Sequence, residues 1–247
     1  GIIVSGRIAV FKDRFLAKKR PDLALKKKNG NIHIENDGIN WVNPFSEEVW
    51  DYNIEIAEAA IKCGVDEVQF DYIRFPEKSN PDDIFVPQFK SKYDAIEGFL
   101  KRAREKLNKY DVSIAIDVFG VMAWEKERDL EIIGQRIWEL AKYADVVCPM
   151  LYPSHFDSGF DGHKDPANDP YLFMKRGIEK TKKLIEVKDT KILPWIQGFE
   201  WRVKNFNEQY ILDQIRAVNE CGLKDFLVWN AGNNYTTTFN ALKKLPK

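Results

Sequence analysis

The sequence predicts an α/β fold, a (β/α)8 barrel whose first two βα units are absent from this chain. Apolar strand-like segments alternate with amphipathic helical segments about six times. The strand-like segments are apolar on both faces, which is typical of parallel strands covered by helices. Polar and aromatic residues stand where these strands end, and the carboxyl ends of barrel strands are where active sites form.

A doubly wound open sheet is the competing fold. It would carry a glycine-rich phosphate turn after an early strand, and neither G-x-G-x-x-G nor a Walker motif occurs. The barrel is therefore favoured, and six strands in place of eight indicate that two units lie upstream. We expect residues 1–247 to form one domain, because no linker or low-complexity tract interrupts them.

Each element follows from local pattern. Strands are expected where β-branched and aromatic residues cluster, at 2–10, 67–74, 112–119, 145–152, 191–199 and 225–230. Helices are expected where apolar residues recur at helical spacing, at 46–62, 88–108, 130–142, 170–187, 207–221 and 238–244. About 35 residues separate the first strand from the first helix. Asn29-Gly30 joins two alternating runs there, which predicts a β-hairpin insertion at about residues 22–36 on the catalytic face.

Composition excludes several classes of protein. Of 247 residues, 44% are hydrophobic, and 38 basic residues balance 38 acidic ones. That balance excludes a disordered chain and disfavours a nucleic-acid partner. No apolar run approaches the ~18 residues of a membrane span. Cys63, Cys148 and Cys221 lie far apart, in neither a metal-binding nor a disulfide pattern.

Asp71 is the strongest catalytic candidate. It ends an apolar strand, and strand alternation places Gln69 on the same side, which is the inside of a barrel. A carboxylate there can act as nucleophile or general base, and Arg74 nearby would hold it ionised and oriented. A structural Asp–Arg pair that fixes a loop is the alternative.

Asp117 is the second candidate, at the end of the next strand. A charge after small and apolar residues needs a partner if it is buried. Asp117 would face Asp71 across the barrel mouth, and two carboxylates are what glycoside hydrolysis requires. A loop-capping role is the alternative. Glu200 and Glu125 are reserve acids.

Polar and aromatic residues at later strand ends are candidates for sugar contacts, since aromatic faces stack on sugar rings. The predicted substrate-binding residues are Gln69, Arg74, Tyr152, His155, Trp195, Gln197, Glu200, Trp229 and Asn230. A nucleophilic serine is disfavoured because G-x-S-x-G is absent. A metal-dependent hydrolase or a lyase is a further alternative, but the three histidines show no metal-ligand spacing.

Six motifs together resemble a bacterial family of proposed glycosyl hydrolases, long known as a domain of unknown function. They are RPDLALKKKNG (20–30), VQFDYIRFP (68–76), IAIDVFG (114–120), PMLYPSHF (149–156), PWIQGF (194–199) and FLVWNA (226–231). The resemblance covers essentially the whole chain. That family resembles distantly the α-amylase-type and α-galactosidase-type barrels.

The resemblance implies a TIM barrel with two further N-terminal units, and it implies that Asp71 matches the nucleophile after the fourth strand. Amylase-type enzymes place a glutamate after strand five, where this chain has Asp117. Galactosidase-type enzymes place an aspartate after strand six, where it has Tyr152 and, further on, Asp157. Family members often look extracellular or envelope-bound.

We therefore expect a glycosidase that cleaves a poly- or oligosaccharide through Asp71 and Asp117, with no cofactor. The alternative is a catalytically silent barrel that binds envelope polysaccharide. Unpaired barrel edges also predict self-association.

Overall fold

A computed structural model describes residues 1–35, 38, 41–77, 81–185 and 189–245. Two compact units emerge from the pattern of contacts. The first comprises Gly1–Val118 with Glu125–Val146, and the second Phe119–Trp124 with Val147–Lys247. Both combine parallel strands with helices, which confirms the α/β class. Among the described residues, no helix is long and apolar enough to span a bilayer.

The first unit contains three strands. Its elements are β1 (Ser5–Ala9), α1 (Arg14–Lys19), α2 (Glu47–Lys62), β2 (Glu67–Asp71), α3 (Lys92–Leu107), β3 (Ser113–Phe119), α4 (Glu127–Ile133) and α5 (Ile137–Leu140), with 3-10 turns at Pro81–Asp83 and Ala141–Tyr143. Side chains cap the helix starts. Ser46 accepts a hydrogen bond from Val49 N at α2, and Ser91 forms a reciprocal capping box with Asp94 at α3.

The register of these strands decides which residues share a face. β1, β2 and β3 are parallel, with Arg7 opposite Gln69, Ala9 opposite Asp71, and Gln69 opposite Ala115. Opposite residues point to the same side of a sheet, and alternation adds Asp117 to that side. Arg7, Gln69, Asp71 and Asp117 therefore lie on one face.

The opposite face of these strands is apolar and packs on the helices. Its side chains are almost fully buried: Ile8, Val10, Val68, Phe70, Ile114, Ile116 and Val118. Phe70 meets Phe99 of α3 edge to face, with ring centroids 5.2 Å apart. Burial of this apolar face stabilises the unit. The polar face on the other side of the sheet is therefore available for a functional site.

The predicted helix over 130–142 is two helices. Gly134 adopts a left-handed conformation (φ 80°), and its N–H donates to Leu130 O at 2.7 Å. This arrangement ends α4 as a glycine cap does, and α5 starts anew after it. The short helix α1, which begins at the N-cap Asp13, was not predicted.

The hairpin insertion forms as isolated antiparallel bridges. Lys26 pairs with Ile32, Lys27 N donates to Asn31 O at 2.8 Å, and Gly30 takes the positive φ of the turn. A third segment joins through a bridge between Lys27 and Ile84. The predicted last residue of the hairpin, position 36, lies outside the described residues.

The second unit carries the remaining strands. Its elements are β4 (Val146–Met150), α6 (Pro170–Leu184), β5 (Lys191–Ile192), β6 (Trp195–Gln197), α7 (Glu208–Glu220), β7 (Leu227–Trp229) and α8 (Thr236–Leu242), with 3-10 turns at Gly120–Trp124, Pro153–His155, Phe160–Gly162 and Pro166–Asn168. β6 runs parallel to β4 and to β7. The strand predicted over 191–199 is divided at Pro194, which has no N–H for a sheet hydrogen bond.

Candidate active site

Asp71 lies at the carboxyl end of β2 and is only 4% exposed. Its Oδ2 accepts a hydrogen bond from Arg7 Nη2, and its Oδ1 accepts one from Tyr72 N at 2.6 Å. Burial lowers the pKa of Arg7, but its attraction to Asp71, their hydrogen bond and a weaker attraction to Asp117 together raise it. Asp71 is thus a buried carboxylate with a charged partner on its own face of the sheet.

Asp117 lies on β3 and is 1% exposed. Gln69 Nε2 donates to its Oδ1 at 2.9 Å, and Arg7 Nε stands 3.8 Å from its Oδ2. One guanidinium therefore serves both aspartates. Three of the four carboxylate oxygens accept a hydrogen bond, and the fourth, Asp117 Oδ2, faces the Arg7 guanidinium.

The arginine on Asp71 is Arg7, where the sequence predicted Arg74. Arg74 Nη1 donates to Phe75 O at 3.0 Å and to the Glu77 carboxylate, while its guanidinium lies 5.3 Å from the Trp41 ring. The physical reason is that β2 ends at Asp71. Arg74 is therefore in the loop beyond, whereas Arg7 reaches Asp71 from the neighbouring strand.

The residue after Asp71 has a strained backbone. Tyr72 has a φ of 52°, which aromatic residues rarely adopt, and such strain costs about 1–3 kcal/mol. The surrounding contacts hold it. Its ring meets Trp41 edge to face at 6.0 Å, with the cations of Lys12 and Arg74 at 5.5 and 5.1 Å from its centroid.

Gln135 is a further residue that the sequence did not reveal. It is fully buried, and its Nε2 donates to Ile73 O at 3.2 Å and to Asp117 O at 3.1 Å. It therefore joins the backbone after β2 to that of β3 beside the aspartates. Its position after the glycine that ends α4 was the only signal.

Gln197 of the second unit lies inside the protein. Its side chain is fully buried, its Oε1 accepts from Ser154 N at 3.1 Å, and its Nε2 donates to Phe199 O at 3.0 Å. It therefore fixes the segments that follow β4 and β6. The predicted sugar contact of Gln197 stays a prediction.

Other predicted residues of the second unit form two aromatic groups. His155 lies 5.1 Å from Tyr152 and 5.0 Å from Trp201, between ring centroids. Trp201 is 48% exposed, so a ligand can reach it. Trp195 and Trp229 meet edge to face at 5.9 Å.

Two polar candidates of the second unit, Asn230 and Glu200, lie in different surroundings. Asn230 Nδ2 donates to Gly198 O at 2.6 Å, and its Oδ1 accepts from Gly232 N at 2.9 Å, so it organises the loop after β7. Glu200 is exposed at the surface. The other reserve acid, Glu125, is exposed with a φ of 51° in the segment before α4.

Within the described ranges, no three His, Cys, Asp or Glu side chains are grouped so as to hold a metal ion. Cys148 and Cys221 are buried free thiols and Cys63 is an exposed one. The chemistry visible in the first unit is that of two carboxylates and an arginine.

A family model described as "putative glycosyl hydrolase domain" matches residues 1–235. The chain belongs to this family. No curated protein matches it. The glycosyl hydrolase family thus accounts for nearly the whole chain, in agreement with the motifs of the sequence.

Solved structures agree on the fold. The glycoside hydrolase domain of PgaB (BpsB) from Bordetella bronchiseptica is similar over 93% of this chain and 71% of its own, with a TM-score of 0.64 and 14% identity. The spore cortex-lytic enzyme SleL of Bacillus megaterium is similar over 98% and 73%, with a TM-score of 0.56 and 11% identity. This chain therefore shares the α/β fold of these glycoside hydrolases, with parallel strands and helices.

A hypothetical protein from Ruminiclostridium thermocellum is 42% identical over 47% of this chain. The matched region covers 59% of that protein's length.

Proposed function

We propose that this chain hydrolyses glycosidic bonds in a poly- or oligosaccharide and that Asp71 and Asp117 carry the reaction. Membership of the glycosyl hydrolase family supports the reaction class. The observation that carries the assignment to residues is the cluster of two buried carboxylates at the ends of adjacent parallel strands, joined through Arg7. Barrel enzymes bear their catalytic groups at such strand ends.

In the proposed reaction, the bond between the anomeric carbon and the leaving oxygen breaks. The leaving oxygen takes up a proton, and the anomeric carbon gains the oxygen of a water molecule. Asp71 attacks or stabilises the anomeric carbon, and Asp117 acts as the general acid/base. The aromatic groups around His155 and Trp229 contact sugar rings, because apolar ring faces stack on sugars.

The test is release of reducing ends from a panel of bacterial and plant polysaccharides. The proteins are the wild type and its Asp71→Asn and Asp117→Asn variants. Asp111→Asn, an exposed aspartate just before β3, is the matched control. We expect both site variants to lose at least about 10³-fold in kcat while the control retains activity. Circular dichroism would confirm that each variant is folded.

Substrates with a good leaving group distinguish the roles of the two carboxylates. An aryl glycoside whose phenol needs no proton should restore turnover to Asp117→Asn but not to Asp71→Asn. Turnover that survives both substitutions would place the chemistry elsewhere. Glycan binding by the wild type without any turnover would favour the alternative, a silent polysaccharide-binding barrel.

A further inference from the structure

We infer that Arg7 is the positioning residue of this site: its single guanidinium orients Asp71 and Asp117 as one pair. The inference rests on the proposed function for its catalytic consequence. The structural part of the inference rests on Arg7 itself, which lies on β1, a strand that bears neither aspartate. Nothing in the motifs around Asp71 or Asp117 identifies Arg7, because it acts across the sheet.

The register explains how a single side chain reaches both aspartates. Arg7 lies opposite Gln69 on β2, so Asp71 is one inward-facing position further along that neighbouring strand. Asp117 lies on β3, on the other side of β2. A long side chain that crosses the face diagonally spans this distance, and Arg7 places Nη2 on Asp71 and Nε near Asp117.

Charge explains why the cluster needs an arginine. Two carboxylates that are 4% and 1% exposed cannot rely on water to offset their mutual repulsion. A guanidinium is a rigid fork with five donors, so one group can meet two carboxylates from different atoms. An ammonium is a point charge without that fork, so lysine would hold one aspartate and leave the other poorly supported.

The surroundings of Arg7 indicate a role in the site instead of in packing. Its side chain is 35% exposed, unlike the apolar residues on the opposite face of β1. Asp71, Asp117 and the phenol of Tyr72 all attract it electrostatically. These three groups belong to the candidate site, and Gln69 supports Asp117 from β2.

Four variants of the protein test the role: Arg7→Lys, Arg7→Ala, the double variant Arg7→Ala/Asp71→Asn, and Arg20→Ala as control. Arg20 is an exposed arginine that binds Asp22 and Glu48. We expect Arg7→Ala to lose roughly 10²–10³-fold in kcat with little change in KM, because Arg7 acts through the carboxylates. Arg7→Lys should recover part of the loss, and Arg20→Ala should match wild type.

Methylguanidinium at millimolar concentration provides a second readout that needs no turnover. It should raise the melting temperature of Arg7→Ala saturably by binding in the vacated position. Wild type, Arg20→Ala and the double variant should show no such rise. If the protein hydrolyses a glycan, the same additive should restore activity to Arg7→Ala.

Turnover and the melting temperature with methylguanidinium test the two proposals separately. A saturable rise in melting temperature without turnover by any variant would overturn the glycosidase proposal and leave the positioning of the aspartates intact. Wild-type turnover in Arg7→Ala would overturn the role of Arg7. So would an Arg7→Ala protein whose melting temperature responds to methylguanidinium no more than the double variant does.

Discussion

Gln69 Nε2 donates a hydrogen bond to Asp117 Oδ1 across 2.9 Å, from β2 to β3. Both side chains are almost fully buried, and the same carboxylate has Arg7 near its other oxygen. An amide donor next to a carboxylate supports its charge without adding a second cation. The inward face of the sheet thus has a fixed order of donors and acceptors across three strands.

Replacement of Gln69 by leucine should weaken the protein and the site together. The Asp117 oxygen would lose its amide donor in a buried place, which costs about 1–3 kcal/mol of unfolding free energy. Urea denaturation at pH 7 would measure this loss. Gln69→Glu should be worse, because a third carboxylate would lie beside two others. Full wild-type stability in both variants would contradict the described contact.

Gln214 should prove essential to the second unit. Its Oε1 accepts from Gln197 N at 2.7 Å, and its Nε2 donates to Gln197 O at 3.1 Å, all in the interior. Gln214→Leu would leave both backbone groups unpaired, at a cost of about 2–5 kcal/mol. Gln209→Leu, on the exposed side of α7, is the control and should change stability by less than about 0.5 kcal/mol.

Lys92 predicts a pH dependence of stability. Burial lowers the pKa of Lys92 from 10.5 to about 8, with weaker effects of Asp82, Arg128 and Glu131. Between about pH 8 and 10.5 the unfolded chain binds more protons than the folded one, so the free energy of unfolding rises with pH. The penalty for burying the charge is complete below pH 8.

Melting curves of wild type and Lys92→Met at pH 7 and pH 10 would show this effect. Wild type should gain stability relative to the variant as the pH rises. Lys90→Met, at an exposed position before α3, controls for general effects of lost charge. A stability difference that stays constant between the two pH values would mean that the ammonium of Lys92 is well solvated.

Trp201 should contribute to glycan binding. It is 48% exposed, and its ring lies 5.0 Å from that of His155. Loss of an aromatic stacking surface should weaken binding of an oligosaccharide by about 5- to 30-fold in Trp201→Ala, with little effect on melting temperature. Isothermal titration would measure this, with Phe239→Ala, another exposed aromatic, as control. Equal losses in both variants would indicate nonspecific adhesion.

Apolar pattern predicted the strands and long helices well, because β1 to β4 and α2, α3, α6 and α7 bury a continuous face. The pattern failed where one residue overrides it. Gly134 ends α4 and Pro194 divides a strand, although the apolar residues continue on both sides. A periodic pattern records burial, and these two residues act through backbone geometry instead.

The site divides in the same way. The sequence was enough to select Asp71 and Asp117 as candidates, since a carboxylate near the end of an apolar strand is unusual. Arg7 was not, because its partnership depends on the register between β1 and β2. Arg74 drew attention by nearness along the chain, but Asp71 is met by an arginine 64 positions away.

The shared guanidinium has an evolutionary consequence. Positions 7, 69, 71 and 117 form one electrostatic unit. A lineage that loses either aspartate leaves part of the Arg7 charge uncompensated, and loss of Asp117 also leaves the Gln69 amide without its acceptor. Substitutions at these four positions should therefore covary among descendants of this gene. Copies that have lost the proposed activity should have lost all four residues together, and this joint loss would identify them before any assay is run.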